Sequence, residues 1–165
     1  MQLLDPMSHQ TGIQASEELR SFFGRCRQKN DIRIIAVSIE NEALTLRESY
    51  AVESSWAEDY RKYVHNEQGL LSPKQPVYLL IRLDKQEGEN GNFLWMLLTW
   101  SPDTSPVRQK MLYASTKATL KNEFGAGQIS EDVFASTLAE ATYEGYLRYV
   151  SFIKDVLDVF TIAVV

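Results

Sequence analysis

Apolar residues return every three or four positions behind Ser16, which is the spacing of one face of an α-helix. Ser16 is a good N-cap residue, and the two glutamates that follow it suit the first turn of a helix. The predicted apolar stripe consists of Leu19, Phe22, Phe23 and Cys26. The next run, Ile32–Ile39, is β-branched at most positions, which predicts a strand covered on both faces and paired in a hairpin with Ala43–Arg47.

A second helix and two central strands follow. Ser55–Glu58 has the Ser-x-x-Glu spacing of a capping box, and the aromatic residues behind it predict a helix that ends near His65. Two apolar runs of strand length come next, Val77–Leu83 and Phe93–Trp100, joined by the polar loop Asp84–Asn92. We expect these runs to lie in the middle of the sheet, with a charged loop at their tip.

The longest predicted helix starts at Ser105-Pro106, a cap residue followed by a proline suited to the first helical position. No further helix breaker occurs before Gly125, so this helix is expected to run for about five turns. The Gly125-Ala126-Gly127 sequence closes a helix instead of opening one after a strand. It is therefore interpreted as a helix terminator and not as a phosphate-binding loop.

In the C-terminal third of the chain, the spacing of apolar residues predicts a short strand near Asp132–Thr137 and a last helix from about Leu138 that runs past Tyr149. Gly145 lies inside this helix, where glycine costs about 1 kcal/mol relative to alanine. The element order is α-β-β-α-β-β-α-β-α. It predicts an α/β (α+β) fold with a central mixed sheet of four to five strands sandwiched by helices on both faces.

Composition narrows the class of protein. The chain has 165 residues, enough for one domain with a real core. Its net charge of −5 argues against broad nucleic-acid binding, and no stretch has the roughly 18 apolar residues of a membrane span. One cysteine cannot form an internal disulfide, and two histidines make a metal site unexpected. We expect a cytoplasmic monomer without cofactor or metal.

The residues that usually carry catalysis are poorly placed. His65 falls at the end of a predicted helix, where an imidazole is more often a solvated cap than a base. Cys26 lies on the apolar stripe of the first helix, which favours packing over reactivity. The many carboxylates follow no metal-binding or glycosidase pattern. The sequence therefore predicts a binding module and not an enzyme.

The longest predicted helix has two apolar faces. At about 100° per residue, a broad face of large residues suits the sheet, namely Leu112, Tyr113, Leu120 and Phe124. A narrower stripe on the opposite side consists of Val107, Met111, Ala114 and Ala118, bordered by Arg108 on one flank and by Lys110, Lys117 and Lys121 on the other. From residue 105 to 127, four bases against one acid give +3, so the remainder of the chain carries −8.

This second stripe leaves three interpretations open. A small apolar stripe flanked by bases suits insertion of the helix into an acidic-rimmed hydrophobic cleft of another protein. The same residues could instead pack under another element of this chain, with the lysines as a solvated edge. The basic ridge would also suit an anionic lipid headgroup.

The segment Ser105–Lys117, SPVRQKMLYASTK, resembles the actin-binding helix of the cofilin/actin-depolymerising-factor homology (ADF-H) family. Four further stretches resemble the first domain of a subfamily that carries two such domains, a linker and a tail. They are Met7–Ile13, Ile39–Glu42, Trp100–Asp103 and Lys121–Gly125. The resemblance implies an ADF-H domain over residues 8–150, an N-terminal extension over 1–7 and an atypical C-terminal extension over 151–165.

The resemblance also implies a function. It implies an ADF-H/gelsolin-like fold that binds monomeric actin, preferentially with ADP, slows nucleotide exchange, sequesters monomers and acts at the actin cytoskeleton and cell cortex. The actin-binding residues carried over from the family pattern are Gly12, Ile13, Val107, Arg108, Lys110, Met111 and Ser115. The loop Asp84–Asn92 is acidic where filament-severing relatives carry bases, which favours monomers over filament sides.

Binding of capping protein is not expected, because the resemblance assigns it to the tail that follows the second domain. The alternative function is a phosphoinositide-regulated adaptor or scaffold domain of the same fold, with Lys110, Lys117 and Lys121 as the candidate headgroup ligands.

Overall fold

A six-stranded mixed sheet lies at the centre of the computed structural model, which describes residues 12–64 and 69–164. The strands are β1 (Gln14–Ala15), β2 (Ile32–Glu40), β3 (Ala43–Ala51), β4 (Val77–Arg82), β5 (Trp95–Trp100) and β6 (Ile129–Ala135). Their order is β1-β3-β2-β4-β5-β6, and the two edge strands run parallel to their neighbours. The predicted extension over residues 1–7 and the predicted cap His65 lie outside the described residues.

The predicted fold class is confirmed, with one strand more than expected. The helices are α1 (Glu17–Lys29), α2 (Trp56–Val64), α3 (Val107–Phe124), α4 (Leu138–Ala141) and α5 (Tyr143–Val164). The additional strand is β1, which has two residues and pairs with the start of β3. A two-residue strand carries no alternation of apolar and polar positions, so only its tertiary pairing defines it.

The last helix is divided, because the chain bends at Thr142 between α4 and α5. The Thr142 hydroxyl accepts a hydrogen bond from the Gly145 N–H at 2.9 Å and so caps α5. A Cβ atom at Gly145 would lie 2.3 Å from the carbonyl oxygen of Ala139. The glycine is therefore required where the two helices approach each other, which outweighs its low helix propensity.

Alternate residues of the central strands supply two cores. On one side, called here the α3 face, Ile35, Tyr78, Leu80 and Leu97 pack under α1 and α3. On the other side, the α5 face, strand residues pack under α2 and the first turn of α5. Each position of β4 and β5 is buried, as their continuous apolar runs predict. Consequently α3 and α5 lie on opposite sides of the sheet.

Hydrogen bonds fix α3 to the sheet and to α1. The Tyr78 hydroxyl donates to the carbonyl oxygen of Tyr113, and the Tyr113 hydroxyl accepts from the Ile39 N–H at 2.9 Å. At the other end of α3, the Arg20 guanidinium binds both oxygens of Glu123, at 2.8 and 3.0 Å. This fork geometry is the strongest form of an arginine–carboxylate pair. Helix α3 is therefore held at its middle and at its C-terminal end.

A buried arginine fixes the loop after β4. Arg33 is fully buried and donates to Asp59 at 2.8 Å and to Asp84 at 2.9 Å, and Asp84 also accepts from the Trp56 N–H at 2.9 Å. Partial burial opposes ionisation of Asp84, but the bond from Trp56 and the charge of Arg33 hold its pKa below the ordinary value. The first residue of the acidic loop is thus tied to α2 and β2.

Candidate functional site

The second stripe of α3 is exposed. Val107 is 69% and Met111 66% accessible to solvent, and Ala114 and Ala118 are also exposed. On the opposite side of the same helix, the residues Tyr113, Thr116, Leu120 and Phe124 are buried. No element of residues 12–64 or 69–164 covers the stripe. Packing beneath another described element is therefore excluded as the explanation for its apolar side chains.

The bases beside the stripe fall into two pairs. Lys117 and Lys121 both bind Asp132 of β6, each with 3.2 Å between the ammonium nitrogen and the carboxylate oxygen. Arg108 and Lys110, in the first turns of α3, form no ion pair with any described residue. The unneutralised positive charge therefore lies beside Val107 and Met111, at the N-terminal end of α3.

Bases at this end oppose the helix dipole, which favours acids in the first turn. Helices α1 and α2 follow the rule, with Glu17 and Glu18 in one and Glu58 and Asp59 in the other. Helix α3 has no acid in its first turn. Departures from such local rules concentrate at functional sites, so the unfavourable charge points to a role in binding.

The start of α3 also differs in detail from the prediction. Pro106 is the N-cap residue, so the helix begins at Val107 and Ser105 is not the capping side chain. The Ser105 hydroxyl is buried and has no hydrogen-bond partner among the described residues. The first backbone bonds of the helix run from Gln109 and Lys110 to the carbonyl oxygen of Pro106. The helix start is therefore one residue later than the sequence predicts.

The N-terminal arm lies beside α3, but its two predicted site residues differ. Gly12 is exposed, with a positive φ of 76° that favours glycine. Ile13 is only 7% accessible, and its side chain packs in the core of the α3 face. Both border a groove of about 550 Å³, which Gln109 and Leu112 line from α3. The structure therefore offers Gly12, and not the side chain of Ile13, to a partner.

Ser115 lies on the flank of the stripe, one helical turn after Met111. Its hydroxyl donates to the carbonyl oxygens of Met111 and Leu112, at 2.9 and 3.1 Å. The side chain is exposed but held against its own helix. Val107, Arg108, Lys110, Met111 and Ser115 thus share one accessible surface, here called the α3 surface.

Sequence reasoning missed an exposed apolar side chain on the α3 side of the sheet, that of Phe134 in β6, which is 60% exposed. Alternate residues of a strand point to the same side, so Phe134 lies on the side of Asp132, which binds the lysines of α3. Val133 and Ala135 point to the other side and are buried. The alternation within β6 is the signal that could have placed Phe134 beside α3.

The described residues offer little catalytic chemistry. A cleft of about 740 Å³ is lined mainly by apolar side chains such as Leu71, Trp100 and Leu138, and Asp103 is the one ionisable side chain among the described residues that line it. Burial raises the pKa of the Cys26 thiol to about 11, which keeps it protonated and unreactive. No group of three metal-ligating side chains occurs within the described ranges. None of the helices described is both long and apolar enough to cross a bilayer.

Comparison with known proteins defines the class. Residues 12–151 match the family model of the cofilin/tropomyosin-type actin-binding proteins, so the chain belongs to this family. Its members are actin-binding regulators, and the chain is accordingly not an enzyme.

Within the family, the chain is similar to twinfilins, the two-domain subfamily indicated by the sequence. It is 46% identical over 143 residues to twinfilin of Drosophila melanogaster and 47% identical over 143 residues to twinfilin of Aedes aegypti. These matches cover 87% of this chain and 40% of each relative, so the chain spans about two fifths of their length. The solved structure of Eh twinfilin shares the fold, with a TM-score of 0.73 at 24% identity over 82% of this chain and 98% of that one.

Proposed function

We propose that this actin-binding domain binds monomeric actin, preferentially with ADP, through the α3 surface. The observation that supports the proposal most strongly is an apolar stripe that no described residue covers, beside two bases without an ion pair among the described residues, on a helix that is anchored to the sheet. We assign the domain to residues 8–150, with extensions over 1–7 and 151–165. The site residues are Val107, Arg108, Lys110, Met111, Ser115 and Gly12, with Ile13 positioning the arm.

In the proposed contact, apolar and charged side chains have different roles. Val107 and Met111 enter a hydrophobic cleft on actin, while Arg108 and Lys110 pair with acidic groups at its rim. Buried anchors typically cost about 2 kcal/mol or more on truncation, whereas rim charges act mainly on the association rate. Because α3 is held to the sheet through Tyr113, little conformational entropy is lost on binding.

Slower nucleotide exchange requires no catalytic group. A wedge that binds better to actin with a closed nucleotide cleft raises the barrier to release through its differential affinity. Bound monomers are thereby withheld from filament growth. The acidic loop beginning at Asp84, which Arg33 holds at 2.9 Å, favours monomers over filament sides. We place this activity in the cytoplasm, at the actin cytoskeleton and cell cortex.

Binding of a phosphoinositide headgroup is the weaker hypothesis. Of its three candidate ligands, Lys117 and Lys121 already share the carboxylate of Asp132. A phosphate group would have to compete with this carboxylate for both lysines. Of the three candidates, Lys110 alone forms no ion pair with a described residue. Vesicle binding is therefore measured beside actin binding, as the alternative outcome.

The test measures release of a fluorescent nucleotide from ADP-actin monomers. We expect the wild-type chain to slow release and the double variant R108A/K110A to lose most of this effect. The matched control is K117A/K121A, which removes the same charge from the same helix but from the pair bound to Asp132; it should retain most of the effect. If both variants lose the slowing of release equally, the total positive charge of α3, and not the α3 surface, mediates binding.

A vesicle-binding assay with phosphatidylinositol bisphosphate separates the two hypotheses. Nucleotide release that R108A/K110A still slows, together with vesicle binding by the wild-type chain that substitution of the basic residues of α3 abolishes, would support the adaptor function instead of the proposed one. If the wild-type chain neither slows release nor binds actin monomers in sedimentation, the proposed function is wrong.

A further inference from the structure

Most of α5 projects away from the domain. Tyr146 is 7% accessible and packs against Trp56, with ring centroids 5.3 Å apart. Beyond the family-matched residues the described side chains are exposed, except for the half-buried Val156. Phe152, Leu157, Val159 and Phe160 are each at least 60% accessible. An apolar helix in this state requires a covering partner.

The apolar residues of this segment follow a seven-residue repeat. The stripe consists of Tyr146, Tyr149, Ile153, Val156 and Phe160, at alternating steps of three and four. This spacing keeps the stripe on one side of a supercoiled helix and is the pattern by which helices pair with one another. The stripe begins with the buried Tyr146 and continues in register onto the unsupported part of α5.

The apolar arc is wider than this stripe. Val150, Phe152, Leu157 and Val159 flank it and extend it to about half of the helix circumference. Within residues 149–162, the opposite side is occupied by Ser151, Lys154, Asp155, Asp158 and Thr161, together with one apolar residue, Ile162. An arc of this width suits contact with more than one neighbouring helix.

The charge on the polar side of α5 and the area that its apolar arc would bury indicate which kind of partner covers it. Over residues 149–162 its polar side carries one lysine and two aspartates, whereas helices that lie on anionic membranes carry Lys and Arg there. Covering the arc would bury on the order of 700 Å² per chain, close to the ~800 Å² per partner of stable protein interfaces. A repeat of this kind is complementary to itself, and copies of the chain present it at equal concentration.

We infer that α5 is a self-association helix whose apolar arc, over residues 149–160, packs against the same segment of further copies of this chain. This inference replaces the expectation of a monomer. Because α5 and α3 lie on opposite sides of the sheet, the assembly leaves each α3 surface accessible. If the proposed function holds, the assembly presents several actin-binding surfaces at once.

The test measures the molar mass of the full chain by light scattering and sedimentation over a range of concentrations. We expect a discrete, concentration-dependent species of two or more chains of 18.9 kDa. The variant I153S/F160S interrupts the repeat and should raise the midpoint concentration of assembly at least about 30-fold. The matched control I162S removes an apolar side chain that is 77% exposed but lies outside the arc; it should change the midpoint less than about twofold.

Three results would overturn the inference. The first is a monomer at all concentrations, and the second is a polydisperse aggregate reduced equally by I162S and I153S/F160S. The third is binding of the monomeric chain to phosphatidylserine vesicles that I153S/F160S abolishes. Urea unfolding of both variants at low concentration checks that the domain is intact, since all three substitutions lie beyond its last matched residue, 151. None of these measurements uses actin, so failure here is separate from failure of the proposed function.

Discussion

Two helices of this domain expose apolar side chains, and their surroundings differ. The α3 surface is narrow, is flanked by Arg108 and Lys110, and belongs to a helix fixed at Tyr113 and Glu123. The apolar arc on the outer part of α5 is broad, two aspartates lie on its polar side, and past residue 151 its described side chains are exposed except for the half-buried Val156. Exposed apolar area alone therefore does not identify a partner. The anchoring of the helix and the charge beside the stripe distinguish the proposed actin-binding surface of α3 from the proposed self-association arc of α5.

The connection between α5 and the domain gives the largest expected effect. Gly145→Ala places a Cβ atom 2.3 Å from the Ala139 carbonyl oxygen, which the backbone can relieve only by moving α5. We expect a loss of about 3 kcal/mol in the free energy of unfolding, measured by urea denaturation. Gly24→Ala is the matched control, because that glycine is also helical and has nothing within 4 Å of the added atom. It should stabilise the protein by about 0.5–1 kcal/mol. A neutral result at Gly145 would contradict the close approach of α4 and α5.

The next effect separates the two exposed stripes. Met111→Ala should weaken binding to ADP-actin monomers by about 2 kcal/mol, or roughly 30-fold, because it removes a proposed anchor. The free energy of unfolding should hardly change, since the side chain is 66% exposed. Leu157→Ala removes a side chain of similar exposure from α5 and should leave actin affinity unchanged. Titration of labelled actin with both variants measures the difference, and equal losses would remove the distinction between the stripes.

Anchoring of α3 can be tested without touching its exposed side. Tyr113→Phe removes the acceptor of the Ile39 N–H and should cost about 1–2 kcal/mol of stability, because a buried donor loses its partner. Tyr149→Phe, on the exposed part of α5, should change stability by less than about 0.5 kcal/mol. Urea unfolding compares the two variants. If Tyr113→Phe is as mild as Tyr149→Phe, the Tyr113 bond does not hold α3.

The smallest effect concerns the C-terminal end of α3. Hydrogen bonding and charge from Arg20 hold the pKa of Glu123 below its ordinary value. This pair therefore stabilises the fold above the unfolded-state pKa of about 4.3, and the contribution is lost as the pH falls through the lower, folded pKa. In the variant Glu123→Gln, the decrease in unfolding free energy between pH 6 and pH 3 should be smaller than in the wild type. The difference should shrink in 1 M NaCl, as expected for a partly exposed pair.

Short-range patterns predicted much of this molecule. The caps at Ser16 and Ser55 are present, with bonds from the N–H groups of Leu19 and Glu58 at 3.2 and 3.3 Å. Both faces of α3 also followed from helical spacing, because burial repeats with the turn of the helix. The family motif along this helix pointed to the candidate site, whose role stays a prediction.

Features that depend on distant contacts could not be predicted in this way. The apolar spacing continues across Thr142, so the bend there follows only from the packing of α4 on α5 at Gly145. The pairing of Lys117 and Lys121 with Asp132 depends on the position of β6 beside α3, which no local pattern encodes. Two of the four bases that flank the stripe, Lys117 and Lys121, are therefore already paired with a carboxylate of this chain.

The bond between Ile39 and Tyr113 has a consequence for dynamics. The amide hydrogen of Ile39 belongs to strand β2, yet its acceptor is a side chain of α3. Its exchange with deuterium therefore requires α3 to lift from the sheet and does not require the strands to separate. Followed by NMR, this one amide would measure how often α3 detaches from the sheet in the free protein. A partner that holds α3 in place would slow the exchange without touching Ile39.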